Sequence, residues 1–208
     1  MTDVLYLHPE NPQARFVRQA VAAMQKGAVI AYPTDSCYAF GWCLEDKVSM
    51  ERVARLRGVD KHHHYTLVCR NLAEIAKYAR VDNWQYRLLK LGTPGPFTFI
   101  LEATKEVPRR LMHEKRRTIG IRVPDHPVTT LLLEILGEPM MSSTLMLPGD
   151  EYPINDPTEI ADRLDGQIDL VLDNGPCGLE PTTVIDLVGG VSVVRLGKGD
   201  PHRLGIEA

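Results

Sequence analysis

Runs of apolar residues alternate with polar turns along the chain, and the first clear run ends in a cluster of hydroxyl and carboxylate groups. Residues 28–32, Ala-Val-Ile-Ala-Tyr, predict a short buried strand. Pro33 cannot donate to a sheet ladder, so the strand should end there. Thr34, Asp35 and Ser36 follow directly. Because open α/β sheets bind ligands beyond the carboxyl ends of their strands, this strand end is a candidate binding site, with an ordinary polar turn as the alternative.

The rest of the pattern predicts roughly seven strands and five or six helices in mixed order. Helical periodicity, capping residues and glycine stops predict helices at residues 12–26, 47–57, 72–78, 84–91, 127–136 and 157–164. Further strands are predicted at residues 65–69, 97–101, 118–123, 140–144, 168–172, 183–187 and 191–196.

The last two strands are joined by Gly189-Gly190 and therefore predict a hairpin, which argues against a purely parallel sheet. No repeat, low-complexity tract or linker interrupts the chain. We therefore expect an α/β (α+β) fold with one twisted mixed sheet, forming a single domain over residues 1–208.

Composition adds few constraints. The chain has 208 residues, of which 44% are hydrophobic and 25% charged, which are ordinary values for a globular protein. No apolar run approaches the roughly 18 residues of a membrane span and no secretory signal is present, so we expect a cytoplasmic protein. The four cysteines are scattered and predict free thiols. The triplet His62-His63-His64 predicts a solvated loop rather than a metal site, because adjacent residues of an extended chain point to opposite faces.

Local positive charge is more informative than the net charge of −3. Between Lys105 and Arg122 there are seven basic residues against two acidic ones. A second cluster contains Arg52, Arg55, Arg57 and Lys61. The sequence has no GxxxxGK[ST], GxGxxG or GxSxG motif, so any nucleotide must bind without those glycine-rich or nucleophile loops. Phosphate, from a nucleotide or from RNA, is the natural partner of such clusters, with a solvated basic face as the alternative.

Six short segments occur in an order that resembles the YrdC/YciO family, relatives of the threonylcarbamoyl-AMP synthases of tRNA modification. They are residues 32–36 (YPTDS), 55–58 (RLRG), 93–98 (TPGPFT), 121–127 (IRVPDHP), 181–186 (PTTVID) and 194–197 (VRLG). The resemblance covers about residues 12–200. The resemblance implies a YrdC-like twisted mixed α/β sheet with a concave basic face.

The resemblance also implies a site and a reaction, in which ATP, L-threonine and bicarbonate form threonylcarbamoyl-AMP with Mg²⁺ assisting. The implied threonine-binding residues are Thr34, Arg122 and Thr183. The implied nucleotide- and phosphate-binding residues are Arg55, Arg57, Lys61, Thr144 and Arg195. An RNA-facing basic patch is expected at Arg109, Arg110, Lys115, Arg116 and Arg117. No catalytic residue and no metal ligand is assigned.

Departures from the synthase pattern make the chain resemble the YciO branch. Arg55 stands where the synthases have the lysine of a Lys-x-Arg motif, and Cys69 stands where many have a histidine. Met146 replaces the asparagine of a Ser-x-Asn motif, and a thioether cannot make the two directed hydrogen bonds of an amide. One hypothesis is a protein that binds double-stranded RNA or tRNA and an adenine nucleotide, with weak threonylcarbamoyl-adenylate chemistry. The alternative is a functional L-threonylcarbamoyladenylate synthase using Mg²⁺ with ATP, and a third is a family member kept for protein contacts.

Overall fold

A computed structural model describes residues 1–60 and 62–207 of the chain. In that part of the chain the helices are α1 (Ala14–Met24), α2 (Lys47–Arg57), α3 (Leu72–Tyr78), α4 (Asn83–Gly92), α5 (Pro127–Leu136) and α6 (Pro157–Arg163). The strands are β1 (Asp3–Tyr6), β2 (Ile30–Tyr32), β3 (Ala39–Cys43), β4 (Thr66–Val68), β5 (Phe97–Glu102), β6 (Thr118–Arg122), β7 (Met140–Thr144), β8 (Leu170–Asp173), β9 (Thr183–Asp186) and β10 (Ser192–Arg195).

All of these strands belong to one sheet with the order β1-β8-β2-β3-β7-β4-β6-β5-β9-β10. Strand β8 is parallel to both β1 and β2, β4 is parallel to β6, and β5 is parallel to β9. The other neighbours are antiparallel, including the β9–β10 hairpin through Gly189-Gly190. The expected mixed α/β sheet and its terminal hairpin are confirmed.

Several helices have the predicted bounds because their stop and start signals are local. Helix α2 begins after Asp46, whose side chain accepts a hydrogen bond from the Ser49 amide at 2.9 Å, and ends at Gly58 with φ 63°. The prediction that Pro12 is the first residue of α1 was wrong, since Gln13 is the extended N-cap and α1 begins at Ala14.

Strands β1 and β3 were missed by the sequence pattern. Strand β1 has four residues, and β3 has a glycine at its centre, which weakens a strand signal. Gly41 is needed there for packing, because a Cβ at this position would lie 2.9 Å from the ring of Tyr32.

Helices cover the two faces of the sheet unequally. Helices α2, α3, α4 and α6 contribute Val53, Ile75, Leu89 and Ile160 to one apolar cluster, which includes Phe99. Helices α1 and α5 pack on the opposite face, in a cluster that includes Val68 and Met140 but, among the described residues, none from β5, β6, β9 or β10. The α1–α5 face is therefore uncovered over that half of the sheet.

No helix in the described ranges is both long enough and apolar enough to cross a membrane.

Candidate functional site

A cavity of about 480 Å³ lies over the part of the sheet that α1 and α5 leave uncovered. Thr66 shares a face with Val68, because residues two apart in a strand point the same way. The register then places Gly120 beside Thr66 and Arg122 beside Val68, and Thr66, Gly120 and Arg122 all line the cavity. Its volume lies within the usual range for small-molecule sites.

The cavity brings together six of the thirteen expected site residues, which come from distant parts of the chain. The expected residues in its wall are Thr34, Arg57, Arg116, Arg122, Thr144 and Arg195.

Arg57 is the last residue of α2 and reaches the cavity with no carboxylate partner among the described residues. Its Nη1 donates to Ser143 Oγ at 2.7 Å and to His63 Nε2 at 3.1 Å, and its Nε lies 3.4 Å from the Met146 carbonyl oxygen. Burial lowers the pKa of the guanidinium. Arg57 is thus a partly desolvated cation held only by neutral groups.

Arg195, from β10, is a second cavity arginine without a carboxylate partner, and it is exposed where Arg57 is half-buried. Its Nη2 and Nε donate to the Thr182 carbonyl oxygen at 2.8 and 3.3 Å, and no carboxylate within the described ranges pairs with it. Burial also lowers the pKa of this guanidinium. Arg195 Nη2 also lies 3.4 Å from the Thr182 hydroxyl, which is itself 2.8 Å from Thr98 Oγ1.

Arg122 differs from these two arginines, because its charge is balanced within the protein. Its Nη2 pairs with Asp35, and the two side chains are only 8% and 10% exposed. The second oxygen of Asp35 accepts from the Asp125 amide at 2.9 Å, and Arg122 Nη1 donates to Ser36 Oγ at 3.2 Å. Arg122 Nε is buried and has no hydrogen-bond partner in the part of the chain that the structure describes. The sequence predicted that Arg122 would bind a ligand. It did not predict that the carboxylate of Asp35 would pair with Arg122 instead.

Thr34 lines the cavity and also holds the turn that follows β2. Its hydroxyl donates to the Cys37 carbonyl at 2.7 Å and accepts from the Ser36 and Cys37 amides at 3.1 and 3.2 Å. Lys198 Nζ donates to the Asp35 carbonyl and ties the turn to the C-terminal segment. Burial raises the pKa of the Cys37 thiol, which therefore stays protonated and gives no sign of a nucleophile.

Two of the expected residues, Thr183 and Arg55, do not line the cavity. Thr183 is fully buried, and its hydroxyl donates to the Gly199 carbonyl and accepts from the Gly197 amide. Its neighbour Thr182 lines the cavity instead, because successive strand residues point to opposite faces.

Arg55 lines a separate hollow, because a separation of two residues turns a side chain by about 200° around a helix. Thr183 and Arg55 therefore do not line this cavity, and their implied binding roles stay predictions. The prediction for Lys61 lies outside the described residues.

The five residues of the expected RNA-facing patch differ in whether their charges are paired within the protein. Arg116 lines the cavity and pairs with Asp186 at 2.7 Å, while Arg110 Nη2 lies 3.4 Å from Glu45. Arg109, Lys115 and Arg117 are exposed, and their side chains have no hydrogen-bond or ion-pair partner among residues 1–60 and 62–207. Of the five predicted patch residues, these three are therefore the ones free to contact an external phosphate.

His63 and His64 both line the cavity, but only His63 is half-buried while His62 and His64 are exposed, so the prediction of a solvated loop was wrong for His63 alone. The rings of His64 and His113 stack with centroids 4.9 Å apart and an interplanar angle of 18°. His63 must be neutral with Nε2 unprotonated, because an arginine can only donate and His63 Nε2 receives its bond. The histidine triplet was the sequence feature that could have indicated a role for this loop in the site. The contact between His63 and Arg57 could not be deduced from the sequence.

The described residues offer little to a metal ion. They contain no group of three or more His, Cys, Asp or Glu side chains arranged to hold one. Asp186 is the one acidic side chain among the residues described in the cavity wall, and Arg116 neutralises it. The cavity wall therefore does not fit a Mg²⁺ ion, which would have to enter as part of a nucleotide substrate.

We expect the stability of the protein to decrease as His63 becomes protonated. Burial, followed by the charge of Arg57, lowers the pKa of His63 to about 4 from the ordinary 6.5. The unfolded chain then binds more protons between pH 6.5 and 4, so this stabilisation is full above about pH 6.5 and is lost towards pH 4. The loss should be on the order of 1–2 kcal/mol once the partial exposure of the ring is allowed for.

The measurement is the free energy of unfolding from pH 4 to 7 for the protein and for His63→Gln, which keeps an acceptor but does not titrate. The variant should lack this part of the pH dependence. Parallel pH curves for the two proteins would contradict a neutral, buried His63.

The chain is similar to known proteins in both sequence and structure. The family model of Sua5, YciO and YrdC, described as "Telomere recombination", matches residues 22–197. YciO of Escherichia coli K12 is 55% identical over 201 residues, covering 96% of this chain and 98% of YciO. The crystal structure of E. coli YciO superposes with a TM-score of 0.94, covering 98% of this chain and 100% of the other.

More distant relatives carry an assigned activity. The human protein named threonylcarbamoyl-AMP synthase is 30% identical over 190 residues, covering 87% of this chain and 67% of the human protein. The structure of P. abyssi Sua5 complexed with L-threonine has a TM-score of 0.86 at 22% identity, covering 94% of this chain and 58% of Sua5, and so shares the fold.

Proposed function

The chain belongs to the Sua5/YciO/YrdC family, as a YciO-type member related to the threonylcarbamoyl-AMP synthases, and from this premise we propose that its cavity binds an adenylate. The observation that carries the proposal is the pair Arg57 and Arg195, two cations in the wall of one cavity that have no carboxylate partner in the described ranges. Arg57 is half-buried and Arg195 is exposed. A phosphate group would neutralise them and accept charge-assisted hydrogen bonds.

Threonylcarbamoyl-AMP is the adenylate that the relatives suggest. One relative is named for its synthesis, and a protein of the same fold was crystallised with L-threonine. In this chain the amino-acid end would lie near Thr34 and Thr182, beside Arg122. Thr144 would contact the nucleotide end, beside Arg57.

We further propose that synthesis of the adenylate from ATP is weak in this protein. Arg55, which corresponds to a phosphate-binding lysine of the synthases by resemblance, lines another hollow. Met146 lines the cavity but only its carbonyl is engaged, by Arg57. With two unpaired arginines available, the charge of an adenylate monophosphate is better matched than that of a triphosphate.

Calorimetric titration with AMP and with ATP tests the proposal. AMP should bind and should raise the melting temperature by mass action, and added L-threonine should raise it further. Absence of both heat and a thermal shift with AMP would remove the proposal. Release of pyrophosphate from ATP, L-threonine, bicarbonate and Mg²⁺ at a rate typical of an enzyme would instead favour the full synthase.

RNA binding is a second candidate function, favoured by the exposed and unpaired Arg109, Lys115 and Arg117. We expect duplex RNA to bind with an affinity that falls steeply with salt, because bound phosphates release counterions. The triple alanine variant of these residues should lower the slope of log K against log salt by about 2–3, near 0.9 for each lost phosphate contact.

The matched control replaces three exposed basic residues elsewhere, Arg18, Lys26 and Arg87, by alanine. It removes the same charge and should leave the slope nearly unchanged. An equal effect of both triple variants would mean that binding follows net charge rather than this patch.

A further inference from the structure

A second hollow, separate from the cavity, has three arginines in its wall. Arg52 and Arg55 come from α2, and Arg163 is the last residue of α6. The hollow has a volume of about 740 Å³, and no acidic side chain lines it within the described ranges. The rest of the wall is apolar or uncharged and consists of Leu56, Leu147, Pro148, Leu164, Gly166 and Gln167.

Two of these arginines are held in place by hydrogen bonds and still have an unused N–H donor. Arg52 donates from Nε to the Gln167 carbonyl and from Nη1 to Asp169, both at 2.7 Å. Arg163 donates from Nη2 to Asp150 at 2.8 Å and from Nη1 to Glu159 at 3.1 Å. Arg52 Nη2 and Arg163 Nε make no hydrogen bond to any described residue. A guanidinium held in advance loses little entropy when it binds an anion.

Arg55 has no partner at all within the described part of the chain. It is exposed, and it lies three residues after Arg52 on the same helix, a spacing at which like charges repel. The dipole of α2 favours a cation in its last turn, but it does not explain why three guanidiniums from two helices line one hollow. Because Asp169 already balances Arg52, the positive charge that remains for an anion in the hollow is that of Arg55.

We propose that this hollow is a second anion site, which takes a small phosphate ester or an inorganic polyphosphate. Planar guanidinium groups match the geometry of phosphate oxygens, and the leucine and proline side chains would cover an organic group attached to the phosphate. The residues that line this hollow are different from those that line the cavity proposed to bind the adenylate.

The loop of residues 146–150 couples the two sites. At one end the Met146 carbonyl accepts from Arg57 in the cavity. At the other end Asp150 accepts from the Leu147 amide at 3.1 Å and pairs with Arg163 in the hollow. An anion bound to the free Nε of Arg163 competes with Asp150 for the charge of that guanidinium, which weakens their ion pair and so loosens the loop that supports Arg57. Binding at either site therefore changes the affinity of the other by the same factor.

Calorimetry with inorganic pyrophosphate tests the second site in the Arg57→Ala protein, whose cavity is impaired. Pyrophosphate should still bind this protein, and adding Arg55→Glu should weaken the binding about tenfold or more. Adding Arg87→Glu, a charge reversal on an exposed position of α4, should have little effect. Absence of binding to Arg57→Ala, or equal effects of the two charge reversals, would overturn the site.

The coupling has its own test in the unaltered protein with its cavity saturated by AMP. The affinity for pyrophosphate at the second site should then differ severalfold from that of Arg57→Ala measured without AMP. Identical affinities would overturn the coupling. If AMP fails to bind the unaltered protein while Arg55→Glu still abolishes pyrophosphate binding in Arg57→Ala, the adenylate proposal falls and the second site stands.

Discussion

Replacing Arg57 by alanine is expected to weaken AMP binding about 100-fold. Arg57 is held by Ser143 and His63, both neutral, so its charge is available to a ligand. Hydrogen bonds to charged groups contribute about 1.5–3 kcal/mol each, and about 2.7 kcal/mol corresponds to that factor. Arg57→Lys keeps the charge but loses the planar guanidinium. Its AMP affinity should therefore lie between those of the unaltered protein and of Arg57→Ala. Isothermal titration calorimetry in phosphate-free buffer measures all three affinities.

The matched control is Arg55→Ala, two residues away on the same helix. Because Arg55 lines the other hollow, its loss should leave AMP affinity within about twofold of the unaltered protein. Similar losses for the two variants would mean that AMP responds to the charge of α2 as a whole. A normal AMP affinity in Arg57→Ala would exclude Arg57 as a phosphate ligand.

Replacing Arg122 by alanine is expected to lower the free energy of unfolding by about 3–5 kcal/mol. The change leaves the Asp35 carboxylate in a nearly buried position without its cation. Asp35 also fixes the turn after β2 through the Asp125 amide, so the turn should loosen as well. Urea unfolding, with an unchanged m-value, measures the loss.

A double-mutant cycle separates the ion pair from the rest of the site. Asp35→Asn should be destabilising alone, but the double variant Asp35→Asn/Arg122→Ala should be more stable than the sum of the two losses predicts, by about 1–3 kcal/mol. Additive losses would mean that Asp35 and Arg122 are not energetically coupled. Energetic coupling of Asp35 and Arg122 is the result expected if their ion pair fixes the turn after β2 in the ligand-free protein.

The sequence determined those parts of the fold whose signals are local. Helix α2 has its predicted bounds because Asp46 and Gly58 act within one turn of its ends. The β9–β10 hairpin was predictable because two glycines join adjacent strands. Strand β3 was not, because its central Gly41 is explained only by the ring of Tyr32, a neighbour supplied by the sheet.

The family segments likewise marked the region of the site, and the tertiary structure decided which side chains enter it. Thr182 rather than Thr183 lines the cavity, and Arg57 rather than Arg55, because strand alternation and helix rotation separate residues that are neighbours in sequence. The pairing of Arg122 with Asp35 joins residues 87 positions apart. The sequence alone therefore determined that basic and hydroxyl groups would meet beyond β2. The folded chain decided which arginine charges are already neutralised, because that depends on distances between strands and helices that no local pattern encodes.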